Sequence, residues 1–461
     1  MSKLGDFVRV QGGYAFKSSE LSDDKTGVPV IKIGNITGGS FVDLSNYQSV
    51  SFQLFEKTKS FATKDNDILI AMTGANVGKT SRVPVNSDAY LINQRVGRFL
   101  LKEDCPYTSD FIYYVVSSKQ AYQYFSRVAD GAAQPNISGK TIEDLEFPNI
   151  DSRCANKIGN ILKSLDDKIQ LNTQINQTLE QIAQTIFKSW FIDFDPVHAK
   201  ANALASGQTT EQATQAAMTV ISGKNTQELH RLQTANPEQY QQLWEIAEAF
   251  PSGFDEEGVP RGWRQTTLSE VCSMKNGYAF KSSDWTDNGI PVIKIGSIKS
   301  NIIDIYDAGF VNNSYGNLKS EFLVKEGDIL IGLTGAYVGK SGRIPFKQFA
   351  MLNQRVAKFI PKILENGTSY YSFLYCISQT NQIKDYINYT AKGSAQPNIS
   401  TKEILNFPIL VADNKVHIAF ESFVKPLLDG ILVNAGNNDI VSSIRDYLLP
   451  KLLSREILNG N

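Results

Sequence analysis

Gly13-Tyr14-Ala15-Phe16-Lys17-Ser18-Ser19 returns unchanged as Gly277 to Ser283, 264 positions further along the chain. Outward from that heptapeptide, Pro29 to Gly34 (PVIKIG) returns as Pro291 to Gly296, Asp67 to Ile70 as Asp328 to Ile331, and Asn93 to Val96 as Asn353 to Val356. Ala133 to Ser138 (AQPNIS) matches Ala395 to Ser400, and Phe147-Pro148 matches Phe407-Pro408. Collinear matches at nearly one offset mark an internal duplication of long period. The 461 residues are read as two related halves, in keeping with a length that predicts more than one domain.

Each half opens with short β-branched runs punctuated by Gly, Asn and Asp, such as Val28 to Ile36 and Asp67 to Met72, which predict strands and turns. Each then changes period. From Asn156 to Phe191 a heptad seam runs through Ile158, Leu162, Leu165, Ile169, Asn172, Asn176, Leu179, Ala183, Ile186 and Trp190. It recurs 262 positions later through Phe420, Val424, Leu427, Ile431, Asn434, Asn438, Val441, Arg445, Leu448 and Leu452. A seam asparagine weakens a coiled coil but fixes its register. The pairs Asn172/Asn176 and Asn434/Asn438 therefore predict two helices packed on one another; the simpler alternative is a helix that covers only its own domain. A helix of about 35 residues is about 50 Å long, so it acts as a spacer. Pro426 and Pro450 lack a backbone donor and predict a second helix that is kinked or starts late.

The expected fold is α+β. Two mixed α/β domains, 1–150 and 260–412, are each followed by a long helix, over 151–195 and 413–461, and the helices pack as an antiparallel coiled coil. Residues 196–259 form an acidic connector, whose apolar spacing at Leu229, Leu232, Tyr240, Leu243 and Ile246 predicts short helices.

With 42% hydrophobic and 20% charged residues the chain can bury real cores, which excludes wholesale disorder. No apolar run reaches membrane-spanning length, and Met1 to Val10 lacks a basic start followed by an apolar stretch, so the expected compartment is the cytoplasm. Cys105, Cys154, Cys272 and Cys376 stand far apart, which fits reduced thiols; with only His198, His230 and His417 besides, no metal site is expected. The formal charge of -1 conceals an uneven distribution. Residues 1–150 carry 16 basic and 16 acidic side chains, 260–412 carry 17 and 11, and 196–259 carry 3 and 8. Lys340, Arg343, Lys347, Arg355, Lys358 and Lys362 are interrupted by no acid, and the first half has Lys79, Arg82, Arg95 and Arg98 against Asp88. Such footprints after Gly-containing turns are expected where a backbone approaches phosphates; a solvated basic face is the alternative.

Three duplicated motifs carry the functional reading. Thr73-Gly74-Ala75-Asn76-Val77-Gly78-Lys79 and Thr334-Gly335-Ala336-Tyr337-Val338-Gly339-Lys340 mimic a phosphate-binding P-loop, but that motif requires glycine where Thr73 and Thr334 stand, so nucleotide hydrolysis is rejected. What remains is a Gly-rich turn whose amides, hydroxyl and lysine suit a phosphate or a base edge, or a tight turn that needs glycine for positive φ. Asn76 and Tyr337 differ, so the copies could read different bases. Asn93-Gln94-Arg95 and Asn353-Gln354-Arg355 are residue types that pair bidentately with purine edges, with one of the three expected to point inward at strand spacing. Gln134-Pro135-Asn136-Ile137-Ser138 and its copy Gln396 to Ser400 offer either nucleic-acid contacts or a cap for the next helix. The candidate DNA-binding residues are Lys17, Thr73, Gly74, Asn76, Lys79, Arg82, Asn93, Gln94, Arg95, Gln134 and Asn136, with Lys281, Thr334, Gly335, Tyr337, Lys340, Arg343, Asn353, Gln354, Arg355, Gln396 and Asn398 in the second half. No catalytic residue is assigned. There is no Asp-Pro-Pro-Tyr-like tetrapeptide, His-Glu-x-x-His or Gly-x-Ser-x-Gly, and Asp195-Pro196-Val197-His198 reads as a helix stop.

On these motifs the chain resembles a specificity subunit of a type I restriction-modification system, over essentially its whole length. Leu179 to Pro196 resembles the family's central helix end, Ile444 to Ile457 its C-terminal one, and Pro251 to Trp263 the lead-in to a second recognition domain. One departure is the start, where Leu4-Gly5-Asp6 has no counterpart of Pro260 to Trp263 before it. The resemblance implies a non-catalytic scaffold on double-stranded DNA that holds two modification subunits and, in the full complex, two restriction subunits. Each domain would be a target-recognition domain for one half of a bipartite, asymmetric site, and the helices would set the spacing and dock the modification subunits. S-adenosylmethionine, ATP and Mg are then expected in the partners and no cofactor in this chain. A diverged methyltransferase would instead bind S-adenosylmethionine itself. A purely structural scaffold would show no salt-dependent DNA binding.

Overall fold

The computed structural model describes residues 2–85, 88–129, 135–299, 301–305, 309–391 and 397–454. They form two compact units, one comprising the chain up to Gln170 together with its end from Asp439, the other Leu171–Asn438.

The first unit contains β1 (Val8–Gly12), β2 (Val28–Ile31), β3 (Gln48–Val50), α1 (Phe52–Thr58), β4 (Ile68–Ala71), β5 (Thr80–Arg82), β6 (Leu91–Ile92), β7 (Val96–Leu101), α2 (Ser109–Val116), α3 (Lys119–Ala129) and α4 (Gly139–Glu143). An antiparallel sheet has the order β1-β7-β4-β5, and a second small sheet has the order β3-β2-β6, with β2 and β6 parallel. Strand β4 explains why two sheets are needed. Alternate side chains leave a strand on opposite faces. Ile68 and Ile70 enter the core lined by Phe99, Phe111 and Leu162, while Leu69 and Ala71 enter another with Ile31, Ile36 and Ile92. A strand buried on both faces reads as a continuous apolar run, as this one does.

Helix α5 (Ser152–Phe191) leaves the first unit and enters the second. The second unit continues with α6 (Asp195–Ala205), α7 (Thr210–Ser222), α8 (Thr226–Ala235) and α9 (Pro237–Ala249), the short helices expected of the connector, around a core that includes Met218, Leu229 and Leu243. Buried Lys200 donates to the carbonyls of Ala247 and Phe250, at 3.1 and 2.6 Å, so it satisfies acceptors left open at the end of α9. Then follow β8 (Arg264–Thr267), β9 (Cys272–Asn276), β10 (Trp285–Thr286), β11 (Ile290–Ile293), β12 (Gly309–Val311), α10 (Tyr315–Leu318), β13 (Leu323–Lys325), β14 (Ile329–Gly332), β15 (Ser341–Arg343), β16 (Phe349–Leu352), β17 (Val356–Pro361), α11 (Tyr371–Gln379), α12 (Asn381–Thr390), α13 (Thr401–Leu405), β18 (Pro408–Val411) and α14 (Asn414–Leu453). The sheet β15-β14-β17-β9 repeats the arrangement of β5-β4-β7-β1, and β14 again feeds two cores.

The two long helices run antiparallel within each unit. In the second, Asn172 Nδ2 donates to Asn438 Oδ1 at 2.9 Å and Asn434 Nδ2 to Asn176 Oδ1 at 3.0 Å, so ascending numbers on α5 meet descending numbers on α14. In the first, Arg445 meets Asp166 at 2.6 Å. Leu162 of α5 and Leu452 of α14 join the first unit's core; Phe187 and Trp190 of α5 join Phe420 and Val424 of α14 in the second. The expected late start of the second helix is corrected: α14 begins at Asn414 and is helical through both Pro426 and Pro450. Each proline removes one donor, and the core contacts of the flanking turns hold the rest. Nor does a proline stop α5, which ends at Phe191. Phe194, at a φ of 54°, stands at the N-cap of α6, and Pro196 occupies the first turn of that helix. Among the described residues no helix is long and apolar enough to cross a membrane, and no cluster of His, Cys, Asp and Glu could hold a metal.

Candidate nucleic-acid interface

The backbone ties the duplicated motifs into one knot. Gln94 N–H donates to Tyr14 O at 2.8 Å, and Tyr14 N–H to Ile92 O at 2.9 Å. Met72 N–H reaches Arg95 O at 2.9 Å, Gly74 N–H reaches Pro135 O at 3.1 Å, and Ile137 N–H returns to Met72 O at 2.9 Å. The second half repeats each link. Gln354 bonds Tyr278 at 2.9 Å, Leu333 bonds Arg355 at 3.0 Å, Gly335 bonds Pro397 at 2.8 Å and Ile399 bonds Leu333 at 3.0 Å. Glycine is required where the strands cross: a Cβ at Gly13 would lie 2.3 Å from Asn93 O, and one at Gly277 would lie 2.2 Å from Asn353 O. Segments scattered over about 120 residues of sequence thus converge twice on the same small surface.

What that surface presents differs in part from expectation. Asn93-Gln94-Arg95 is a turn between β6 and β7, not a strand, so Gln94 and Arg95 are both exposed while Asn93 is half-buried and accepts from Arg95 N–H. Asn353, Gln354 and Arg355 behave identically. Asn136 and Asn398 are exposed beside them, and Ser138 and Ser400 cap α4 and α13 by accepting from Thr141 and Glu403 N–H. The Glu403 carboxyl is held below its ordinary range by the Ser400 amide and then its hydroxyl. Lys17 and Lys281 are exposed at the starts of short 3-10 turns. Gln134 and Gln396 lie outside the described residues.

The Gly-rich turn has most of its amides engaged within the protein. Its amides at Gly74, Val77, Gly78 and Lys79 all bond internally, as do those of Gly335, Val338, Gly339 and Lys340. Thr73 and Gly335 are buried, and the Thr334 hydroxyl is enclosed. Asn76 turns its amide onto Ile33 O at 3.0 Å and accepts from Lys79 Nζ at 2.9 Å, while Lys340 lies over the Tyr337 ring at 4.7 Å. The glycines at 74, 78, 335 and 339 all have positive φ, the alternative reading of the motif.

Arg82 and Arg343 are corrected outright: neither is available to DNA. Arg82 is 1% exposed, bonded to Asp166 at 2.7 Å and Asp110 at 3.3 Å. Tyr114 also donates to Asp166, at 2.6 Å, and burial pushes its phenol pKa up. Arg445 completes the cluster; burial opposes its charge, but the Asp166 hydrogen bond and charge prevail and hold it above the guanidinium range. Arg343 is equally buried, donates to Leu428 O at 2.8 Å and packs over the Tyr375 ring at 4.4 Å. These arginines fasten each of the duplicated domains to a long helix. The sequence concealed this because Asp166 stands 84 positions from Arg82; the one visible sign was an arginine, Arg445, at a seam position.

A family model described as the type I restriction modification DNA specificity domain matches residues 1–181 and 260–415. The chain is 31% identical over 446 residues to the type I restriction enzyme HindI specificity subunit of Haemophilus influenzae, covering 93% of this chain and 94% of that one. To the MjaIX specificity subunit of Methanocaldococcus jannaschii it is 25% identical over 445 residues, 93% and 89% of the two chains. A type I restriction-modification S subunit from M. genitalium has a similar fold, with a TM-score of 0.53 at 15% identity over 98% of this chain and 94% of that one. A duplicated domain, a doubled knot of motifs and full-length similarity lead to one assignment: the chain belongs to the family of type I restriction-modification DNA specificity subunits, with two target-recognition domains.

Proposed function

We propose that each target-recognition domain reads one half of a bipartite, asymmetric DNA site, with the exposed Gln94-Arg95 and Gln354-Arg355 pairs at the base edges and Asn136, Asn398, Lys17 and Lys281 beside them. The observation that carries this is the doubled knot, which presents the same polar pair at the tip of the same turn in both halves. Arg donates to the O6 and N7 acceptors of guanine, and Gln donates to adenine N7 while accepting from its N6 amino group. Their identity in both halves places discrimination between half-sites in the surrounding residues that differ.

The chain supplies recognition, and adenine methylation and DNA cleavage belong to two modification and two restriction subunits, which bring S-adenosylmethionine, ATP and Mg. The long helices set the spacing and dock the modification subunits. Leu171, Ile175 and Ile182 on α5 are exposed at helical spacing, and so are Ile440, Ile444 and Tyr447 on α14, where Tyr447 is 62% exposed. Apolar side chains aligned on the outer face of a helix support a partner there.

The test is Arg355→Ala in the complex with the modification partner. The expected result is loss of about 1–3 kcal/mol of discrimination at one base pair of one half-site, with the other half read as before. Unchanged methylation at every site would remove Arg355 from the interface.

A further inference from the structure

In the first unit β5, α2, α14 and a loop all meet at a single carboxylate of α5. Asp166 on α5 accepts from Arg82 at one oxygen and from Arg445 of α14 at the other, at 2.7 and 2.6 Å. The Ser40 hydroxyl stands between them: it accepts from Arg445 at 3.1 Å and donates to Asp166 Oδ1 at 3.0 Å. Ser40 also ends a loop that begins at Ile33. At the loop's start, Ile33 O takes the Asn76 amide of the Gly-rich turn at 3.0 Å. Midway, a Cβ on Gly38 would touch the Lys79 stem at 3.6 Å. One short loop therefore grips the knot at one end and the paired helices at the other.

The second unit is assembled without this junction. At the equivalent positions Leu428 replaces Asp166 and Ala183 replaces Arg445, while Asn301, whose carbonyl accepts from Arg343 N–H as that of Ser40 accepts from Arg82 N–H, replaces Ser40. There Arg343 uses the Leu428 carbonyl instead. Tyr375 also donates to Glu180 of α5 at 2.7 Å, so a recognition domain can be fastened to the helices without a side chain of its loop bridging a carboxylate of one helix and an arginine of the other. Stability alone does not account for the cluster in the first unit.

We infer that the Arg445–Ser40–Asp166 junction is a positioning device for the first half-site. Arg445, near the end of the chain, fixes the Ile33–Ser40 loop and through Asn76 and Lys79 the turn beneath Gln94-Arg95, so fidelity at one half-site depends on the clasp between the helices. The inference rests on the reading of DNA proposed above, and the second half-site lacks the dependence.

The experiment compares adenine methylation by the assembled complex at the parental site and at sites substituted singly in either half. Ser40→Ala removes only the hydroxyl; Ser40→Thr keeps one. The expected result for Ser40→Ala is about a tenfold loss of discrimination in the first half-site, the order of one charge-assisted hydrogen bond. The second half-site and the thermal midpoint are unchanged, and Ser40→Thr reads as the parent does. The pair Asp166→Leu with Arg445→Ala places the second unit's residues at these two helix positions and gives the same one-sided loss. Equal loss at both half-sites, or no rescue by threonine, would reduce Ser40 to a structural role and overturn the inference. A parental two-part target unmoved by Ser40→Ala contradicts the junction alone, whereas a parental complex with no two-part target contradicts the functional reading and the inference with it.

Discussion

Burial decides which polar side chains are free to read DNA. Gln94 and Arg95 were legible as candidates because their residue types match base edges, and the turn geometry leaves both in solvent. Arg82 was legible only as a cation; its two carboxylates come from α2 and α5, which local sequence cannot bring together. His417 shows the same rule inside the second unit. Its Nε2 accepts from Ala412 N–H at 3.2 Å, which fixes the neutral tautomer with the proton on Nδ1, and it lies between Phe191 and Tyr370. Burial pushes its pKa from 6.5 to about 3. The unfolded chain therefore binds a proton that the folded one refuses, and stability present above pH 6.5 is lost progressively as pH falls toward 3. His417→Phe should remove that part of the acid dependence in chemical denaturation, while costing about 1–3 kcal/mol at neutral pH for the unmet Ala412 N–H. An unchanged pH profile would assign the acid sensitivity to other groups. At Gly78, φ is 81° and a Cβ would stand 2.8 Å from Phe125 Cβ. Gly78→Ala should destabilise the first unit by about 1–3 kcal/mol, seen as a lower thermal midpoint.

The long helices were legible because their period is regular over many turns, and the seam located the asparagines that meet across it. The prolines misled because local propensity is a weak guide once a helix is packed along its length: α14 keeps Val424 and Leu428 in the core on the turns around Pro426. The asparagine pairs make a prediction about specificity rather than strength. Replacing Asn172 and Asn438 together by leucine should raise the thermal midpoint yet admit alternative helix registers, detectable as mixed products in cysteine cross-linking along α5 and α14. A single cross-linked register with higher stability would show that the asparagines do not set alignment. Leu162→Ala, by contrast, empties a core position where α5 enters the first unit and should cost about 2–5 kcal/mol.

Over the full chain, one duplicated sequence has produced two domains with the same strand order in their four-stranded sheets, the same motif knot and the same arginine facing a long helix. The duplication was readable because turns and close approaches restrict residue choice, so GYAF and TGAxVGK survived in both copies. What differs was not readable as function: the loop over Ile33–Ser40, the helix-facing cluster around Asp166, and the exposed positions that distinguish one half from the other. If the halves read DNA independently, exchanging one must leave the other's target intact. The most direct measurement is methylome sequencing of cells that express, with the modification partner, a chain whose residues 1–150 come from a relative of different specificity. The account predicts a new modified motif in which one half-site is replaced and the other is retained base for base; a motif altered in both halves would contradict it.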